Sequence, residues 1–88
     1  MGAKKPYSPH HAAVGRAVRV YRLRLGVSQE NLAAKCEVDR TFMGGIERGE
    51  RNFSLAKLLT ISEGLEVSPS ELLAEYERQL GDEPAADH

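Results

Sequence analysis

The residues best suited to chemistry lie in one stretch, residues 39–51, which read DRTFMGGIERGER. Its arginines carry planar guanidinium groups, which donate paired hydrogen bonds to phosphate oxygens or to the O6 and N7 atoms of guanine. The apolar side chains of the stretch have helical spacing and would face a core. The outward face of that helix would then carry Arg40, Thr41, Gly44, Gly45 and Arg48. This face is therefore a candidate surface for contact with a polyanion.

The distribution of charge along the chain supports a polyanionic partner only for its first two thirds. Residues 1–57 hold eleven Lys and Arg against five Asp and Glu, a balance of +6. Residues 58–88 hold one Arg against eight Asp and Glu, a balance of −7. The net charge of −1 therefore hides a bipolar chain whose basic part contains residues 39–51.

The length and composition of the chain favour binding over catalysis. Eighty-eight residues form one small domain with no room for a large catalytic cleft, so we predict that the protein is not an enzyme. Cys36 is the single cysteine, which excludes an internal disulfide, and its place in an apolar stripe indicates a core thiol. His10 and His11 are adjacent and would point apart on a helix, so neither a metal nor another cofactor is expected. No apolar run is long enough to span a membrane, and we predict a cytoplasmic protein without membrane contact.

The elements that would position the arginines are five short helices, and no segment alternates as a strand would, so the predicted fold is all-α. Ser28, Asp39 and Ser54 are good N-caps, and the run Ser68-Pro69-Ser70-Glu71 is a capping box with proline at the first helical position. The predicted helices cover about residues 9–25, 29–36, 40–48, 55–65 and 69–80. We predict that residues 1–8 form a flexible arm, that residues 9–80 form the folded domain and that residues 81–88 form a disordered acidic tail.

The second and third of these helices are joined by about three residues inside a small helical domain. This is the helix-turn-helix arrangement, in which the second helix of the pair lies in the DNA major groove. It suggests a reason for the adjacent glycines, each of which costs a helix interior roughly 1 kcal/mol relative to alanine. With no side chains on the exposed face, Gly44 and Gly45 would let the helix backbone approach the groove floor or a phosphate closely.

Three segments around this pair of helices resemble the lambda-repressor-like, XRE/Cro-type helix-turn-helix transcriptional regulators. They read SQENLA at 28–33, VDRTFMGGIERGER at 38–51 and SLAKLLTISEGLEVSPSELL at 54–73. The resemblance covers roughly residues 14–73 and is strongest to the controller proteins of restriction-modification systems. Glu37 replaces the usual turn glycine of the family and is expected to adopt a left-handed conformation at about 1 kcal/mol. Gly44 stands where the family commonly has a side chain that reads or brackets the site.

The resemblance implies a role for individual residues. Arg40 and Thr41 match positions that read base edges, and Gly44 and Gly45 on the same face complete the predicted base-contacting set. The residues that match contacts with the DNA backbone are Gln29, Arg48, Arg51 and Asn52. Arg22 and Glu47 match a partly buried ion pair that links the first and third helices.

The sequence therefore predicts a DNA-binding transcriptional regulator that acts as a homodimer on a two-fold symmetric, double-stranded operator. Leu73, Tyr76 and Leu80 form a stripe on the fifth helix that exceeds the needs of one core, and we predict that it is the dimer interface. The alternative is an antitoxin-like or other protein-interaction module with secondary DNA binding, which a long acidic tail would favour. Here only eight residues follow Leu80. The operator sequence and any small-molecule effector are left open.

Overall fold

The computed structural model describes residues 5–81 and contains five α-helices, with no strand in that range. They are α1 (Pro9–Leu25), α2 (Gln29–Lys35), α3 (Arg40–Glu47), α4 (Leu55–Gly64) and α5 (Pro69–Gly81). The predicted all-α fold is confirmed, and no predicted end differs from the observed one by more than one residue. The predicted tail falls almost wholly on residues outside the described range, as does the first half of the predicted arm.

The helices begin where local hydrogen bonding favours a start. Ser28 and Ser54 accept hydrogen bonds from backbone N–H groups of the first turns of α2 and α4, as predicted. The capping box at α5 is also confirmed, since Ser68 N–H donates to Glu71 Oε1 at 2.8 Å and Glu71 N–H donates to Ser68 Oγ at 3.1 Å. Asp39 holds the N-cap position of α3 but makes no side-chain cap bond. Its carboxylate still lies at the N-terminal end of α3, where the helix dipole favours a negative charge.

The turn between α2 and α3 contains a left-handed residue. Glu37 has φ 56°, as expected from its place in the helix-turn-helix. Gly26, with φ 80°, ends α1, and its N–H donates to the carbonyl oxygens of Arg22 and Leu23. Gly26 sets the direction in which α2 leaves α1, and Glu37 sets the direction in which α3 leaves α2.

The core lies where all five helices meet, because Ile61 of α4 is buried together with side chains of the other four helices. Its fully buried side chains include Val18, Leu32, Met43, Ile46 and Leu72. Cys36 is 1% exposed, and burial raises the pKa of its thiol although Lys57 and Lys35 act in the opposite direction. The thiol therefore belongs to the core, as predicted.

Helix α3 rests directly on the backbone of α1. A Cβ atom added at Gly15 would overlap the carbonyl oxygens of Ile46 and Glu47. Gly49, with φ 78°, follows α3 and has no room for a side chain either, because a Cβ there would lie 2.6 Å from Ala12 Cα. Small residues on both sides thus let the end of α3 pack closely against α1.

The segment before α1 contacts the domain. Tyr7 N–H donates to Gly49 O at 2.6 Å, and Ser8 caps α1 by accepting from His11 N–H. Tyr7 thus attaches the second half of the predicted arm to the loop after α3, and Ser8 attaches it to the first turn of α1. Within the described part of the chain, no helix has the length and apolar character needed to cross a membrane.

Candidate nucleic-acid interface

The first turn of α3 presents two polar side chains to solvent. Arg40 and Thr41 are both exposed, and they follow directly after the turn that ends the α2 segment. Gln29, the first residue of α2, is half-buried. Arg40 and Thr41 are therefore accessible to a partner, whereas Gln29 is held against the domain.

The two glycines of α3 are not on a free surface, and that part of the prediction is wrong. Both are buried, because arginine side chains lie across them. A Cβ at Gly44 would lie 3.1 Å from Arg48 Nη1, and a Cβ at Gly45 would lie 2.8 Å from Arg51 Cγ. The missing side chains thus make room for arginines and do not leave bare backbone open to a partner.

The arginines after the middle of α3 are held in place by neighbouring groups. The Arg51 guanidinium carbon lies 5.5 Å from the centre of the Phe42 ring, a cation–π arrangement. Arg48 Nε lies 3.2 Å from Glu50 Oε1, and the Arg48 side chain remains 58% exposed. Both cationic groups therefore lie at the surface in defined positions beside α3.

A buried ion pair joins α1 to α3. Arg22 donates from Nε to Glu47 Oε2 at 2.5 Å and from Nη2 to Glu47 Oε1 at 3.1 Å. The remaining polar atoms also have partners, since Arg22 Nη1 donates to Val27 O and Gln29 Nε2 donates to Glu47 Oε1. The arrangement therefore links α1, α2 and α3 around one carboxylate.

The loop between α3 and α4 contains a contact that the sequence did not reveal. Asn52 is exposed, and its Oδ1 lies 3.0 Å from His11 Nε2 on α1. Metal binding is the one role that the sequence position of His11 raised, and it was not expected. Over residues 5–81 no group of three His, Cys, Asp or Glu side chains could hold a metal ion.

The apolar surface on α4 and α5 differs from the predicted stripe. Leu73 is 39% exposed, but Tyr76 is half-buried, packs against the core and hydrogen bonds through its hydroxyl to His10 Nδ1 at 2.7 Å. Leu80 is half-buried as well. Two residues of α4 are more exposed than any of these, Leu55 at 71% and Leu59 at 44%. Leu23 on α1 is exposed as well, at 55%. The exposed leucines of α4 and α5 belong to two different helices, which residue spacing within α5 alone did not indicate.

A pair of short helices with an exposed arginine on the second, and further arginines beside it, defines a helix-turn-helix protein. The helix-turn-helix family profile matches residues 18–72, and the chain belongs to this family of DNA-binding regulators.

Among known relatives, the chain is similar to the control protein C.BamHI of Bacillus amyloliquefaciens. The two are 47% identical over 60 residues, which are 67% of this chain and 74% of the relative. The fold is similar to the restriction-modification controller protein C.AhdI from Aeromonas hydrophila, with a TM-score of 0.71 and 38% identity over 74% of this chain and 98% of that protein. It also matches the controller protein C.Esp1396I, solved as a tetramer with its natural 35 base-pair operator. That match has a TM-score of 0.79 and 35% identity over 85% of this chain and 99% of that one.

Proposed function

We propose that this protein is a sequence-specific transcriptional regulator in the cytoplasm that binds, as a homodimer, a two-fold symmetric operator controlling a restriction-modification system. The observation that carries the proposal is the exposed first turn of α3, with Arg40 and Thr41, on a helix whose end is fixed to α1. The names of the relatives support the regulated system. Binding to DNA, and not catalysis, is the proposed activity.

Base readout is assigned to the start of α3. Arg40 would donate two hydrogen bonds to O6 and N7 of a guanine, the commonest specific contact in the major groove. Thr41, with a hydroxyl and a methyl group, suits either a base edge or the methyl group of thymine. Because α3 packs against the α1 backbone at Gly15, both side chains would be presented from a rigid element.

Contacts with the DNA backbone are assigned to the arginines beside the glycines and to their neighbours. Arg48 and Arg51 are the cationic donors, and Asn52 is a neutral donor in the same loop. Gln29 remains in this group, although one of its side-chain N–H bonds is directed to Glu47. We assign the contribution of Gly44 and Gly45 to the space they leave for Arg48 and Arg51.

Two copies of the chain would read two half-sites. A single small module buries too little surface for strong discrimination, whereas a dimer doubles the readout and matches a symmetric operator. We assign the dimer interface to the exposed leucines of α4 and α5, namely Leu55, Leu59 and Leu73, with Leu80 at its margin. A shallow, mainly apolar pocket beside Leu55 and Leu73 would accept side chains of the second copy. The tetramer of C.Esp1396I on its operator supports assembly on DNA.

The function is tested by recovering and sequencing DNA fragments that the purified protein retains, followed by binding measurements on Arg40→Ala. The variant should lose roughly fivefold to 150-fold in operator affinity and relax the preference at one base pair per half-site, as expected of a bidentate reader. Binding to random DNA should change little.

Arg78→Ala is the matched control, because it removes an arginine that is 63% exposed but lies on α5, away from α3. It should leave operator affinity unchanged. Equal losses for Arg40→Ala on operator and random DNA would show that Arg40 contacts only phosphate. Retention of no enriched sequence would contradict the proposed function.

A further inference from the structure

A chain of hydrogen bonds connects the start of α1 to the loop after α3. His11 N–H donates to Ser8 Oγ at 3.1 Å, and the same hydroxyl lies 2.6 Å from His11 Nδ1. On the other side of the ring, His11 Nε2 lies 3.0 Å from Asn52 Oδ1. The imidazole therefore bridges a helix cap and an exposed asparagine 41 positions further along the chain.

The direction of each bond follows from the groups involved. The Asn52 amide is placed with its oxygen toward His11, and an amide oxygen only accepts, so in this orientation Nε2 carries the hydrogen between the two side chains. In the neutral imidazole Nδ1 is then the acceptor, and it takes the hydroxyl hydrogen of Ser8. This arrangement uses the amide oxygen of Asn52 and leaves the two N–H bonds of its Nδ2 atom directed away from His11.

The orientation of the His11 ring is fixed from both sides. The Tyr7 ring meets it edge to face with centroids 4.8 Å apart, and the Phe53 ring does so at 6.2 Å. Tyr7 is itself bonded to the loop after α3, through its N–H and Gly49 O. Because these contacts restrict the side-chain torsions of His11, its Nε2 atom stays directed at Asn52.

We propose that His11 is a positioning residue, which holds the Asn52 side chain so that its Nδ2 group donates to a phosphate of the bound DNA. The proposal rests on the proposed function and adds to it a residue of α1 that does not itself contact DNA. An exposed asparagine would otherwise lose rotamer freedom on binding, and fixing it beforehand lowers that cost.

The test is a double-mutant cycle with two complementary variants of His11, measured as affinity for the recovered operator. His11→Phe keeps a ring between Tyr7 and Phe53 but has no donor, whereas His11→Gln keeps an N–H donor near the position of Nε2. We expect His11→Phe and Asn52→Ala each to weaken binding by about threefold to tenfold, the usual worth of one neutral hydrogen bond. His11→Phe should have no further effect in the Asn52→Ala background, and His11→Gln should bind as the wild type does.

Thermal unfolding followed by circular dichroism separates positioning from loss of fold. If His11→Phe does not fold, His11→Asn replaces it, since the shorter amide does not reach Asn52. Three results would each overturn the role of His11 while leaving the proposed function intact. They are wild-type operator affinity in His11→Phe, an equal loss of affinity for His11→Phe in the wild-type and Asn52→Ala backgrounds, and no recovery of affinity in His11→Gln. Failure of the wild-type protein to bind DNA would overturn both.

Discussion

Replacing Glu47 by alanine should destabilise the fold by several kcal/mol, because the variant leaves a buried guanidinium without its counter-charge. The side chains of Arg22 and Glu47 are only 9% and 3% exposed. Two of the three described hydrogen bonds of Arg22 go to Glu47, and the third goes to Val27 O. Removing one partner of a buried pair costs about 3–5 kcal/mol, since the other charge stays desolvated and unpaired. For a domain of this size that loss lowers the melting temperature by at least about 12 °C.

Urea unfolding followed by circular dichroism measures the effect, and a matched double variant tests its origin. In Arg22→Met/Glu47→Leu neither charge remains, so most of the lost free energy of unfolding should return. The return is not expected to be complete, because Gln29 Nε2 and Val27 O lose their partners in that variant. A loss below about 1 kcal/mol in Glu47→Ala would refute the reasoning, because a loss of that size is typical of an exposed pair.

Three further predictions concern the salt dependence of DNA binding, the dimer interface and the pH dependence of folding stability. Operator affinity should fall steeply with salt, with a slope near −4 in log K against log salt if Arg48 and Arg51 of both subunits each neutralise one phosphate; a slope shallower than about −2 contradicts this. Leu73→Asp should give a folded monomer that keeps weak half-site binding and loses most affinity for the full operator. Sedimentation measures the oligomeric state, circular dichroism the fold, and a binding assay the two affinities. A dimer of unchanged affinity would place the interface elsewhere. Hydrogen bonds from Gln79 and Arg78 hold the pKa of Glu75 below its ordinary value. The ionised Glu75 side chain therefore stabilises the fold above the unfolded pKa of about 4.3, and this stabilisation is lost as the pH falls through the folded pKa. The free energies of unfolding of wild type and Glu75→Gln should therefore differ most near neutral pH and converge in acid; a constant difference would show that the carboxylate charge is not involved.

Local chemistry made much of this fold predictable. A serine hydroxyl caps a helix through backbone groups only three residues away, so the starts of α2, α4 and α5 followed from Ser28, Ser54 and Ser68. The left-handed conformation of Glu37 was predicted in another way, from the resemblance, because this residue stands where the family usually has a turn glycine. For the serine caps, the information lies within a few residues of the feature it determines.

Contacts between distant residues were not predictable in the same way. His11 and Asn52 are 41 positions apart, and neither residue type indicates the other. Leu55 and Leu59 on α4 and Leu73 on α5 are all exposed, but spacing within α5 alone could not indicate the two residues of α4. It selected Tyr76, which the structure places against the core. Spacing along one helix identifies an apolar face, but the packing of the neighbouring helices decides which part of that face stays exposed.

The adjacent glycines show how the surface of α3 depends on groups that lie outside it. Helical spacing placed Gly44 and Gly45 outward, and a bare backbone was the expected consequence. In the structure, Arg51 from the following loop lies across Gly45 and over the Phe42 ring, and Arg48 lies beside Gly44. A side chain at Gly45 would meet Arg51 at its Cγ atom, close to the backbone, where the arginine has little freedom to move aside. The roughly 1 kcal/mol lost in helix propensity at each glycine is therefore best understood as the cost of holding two guanidinium groups close to the helix axis, where the proposed function assigns them to the DNA backbone.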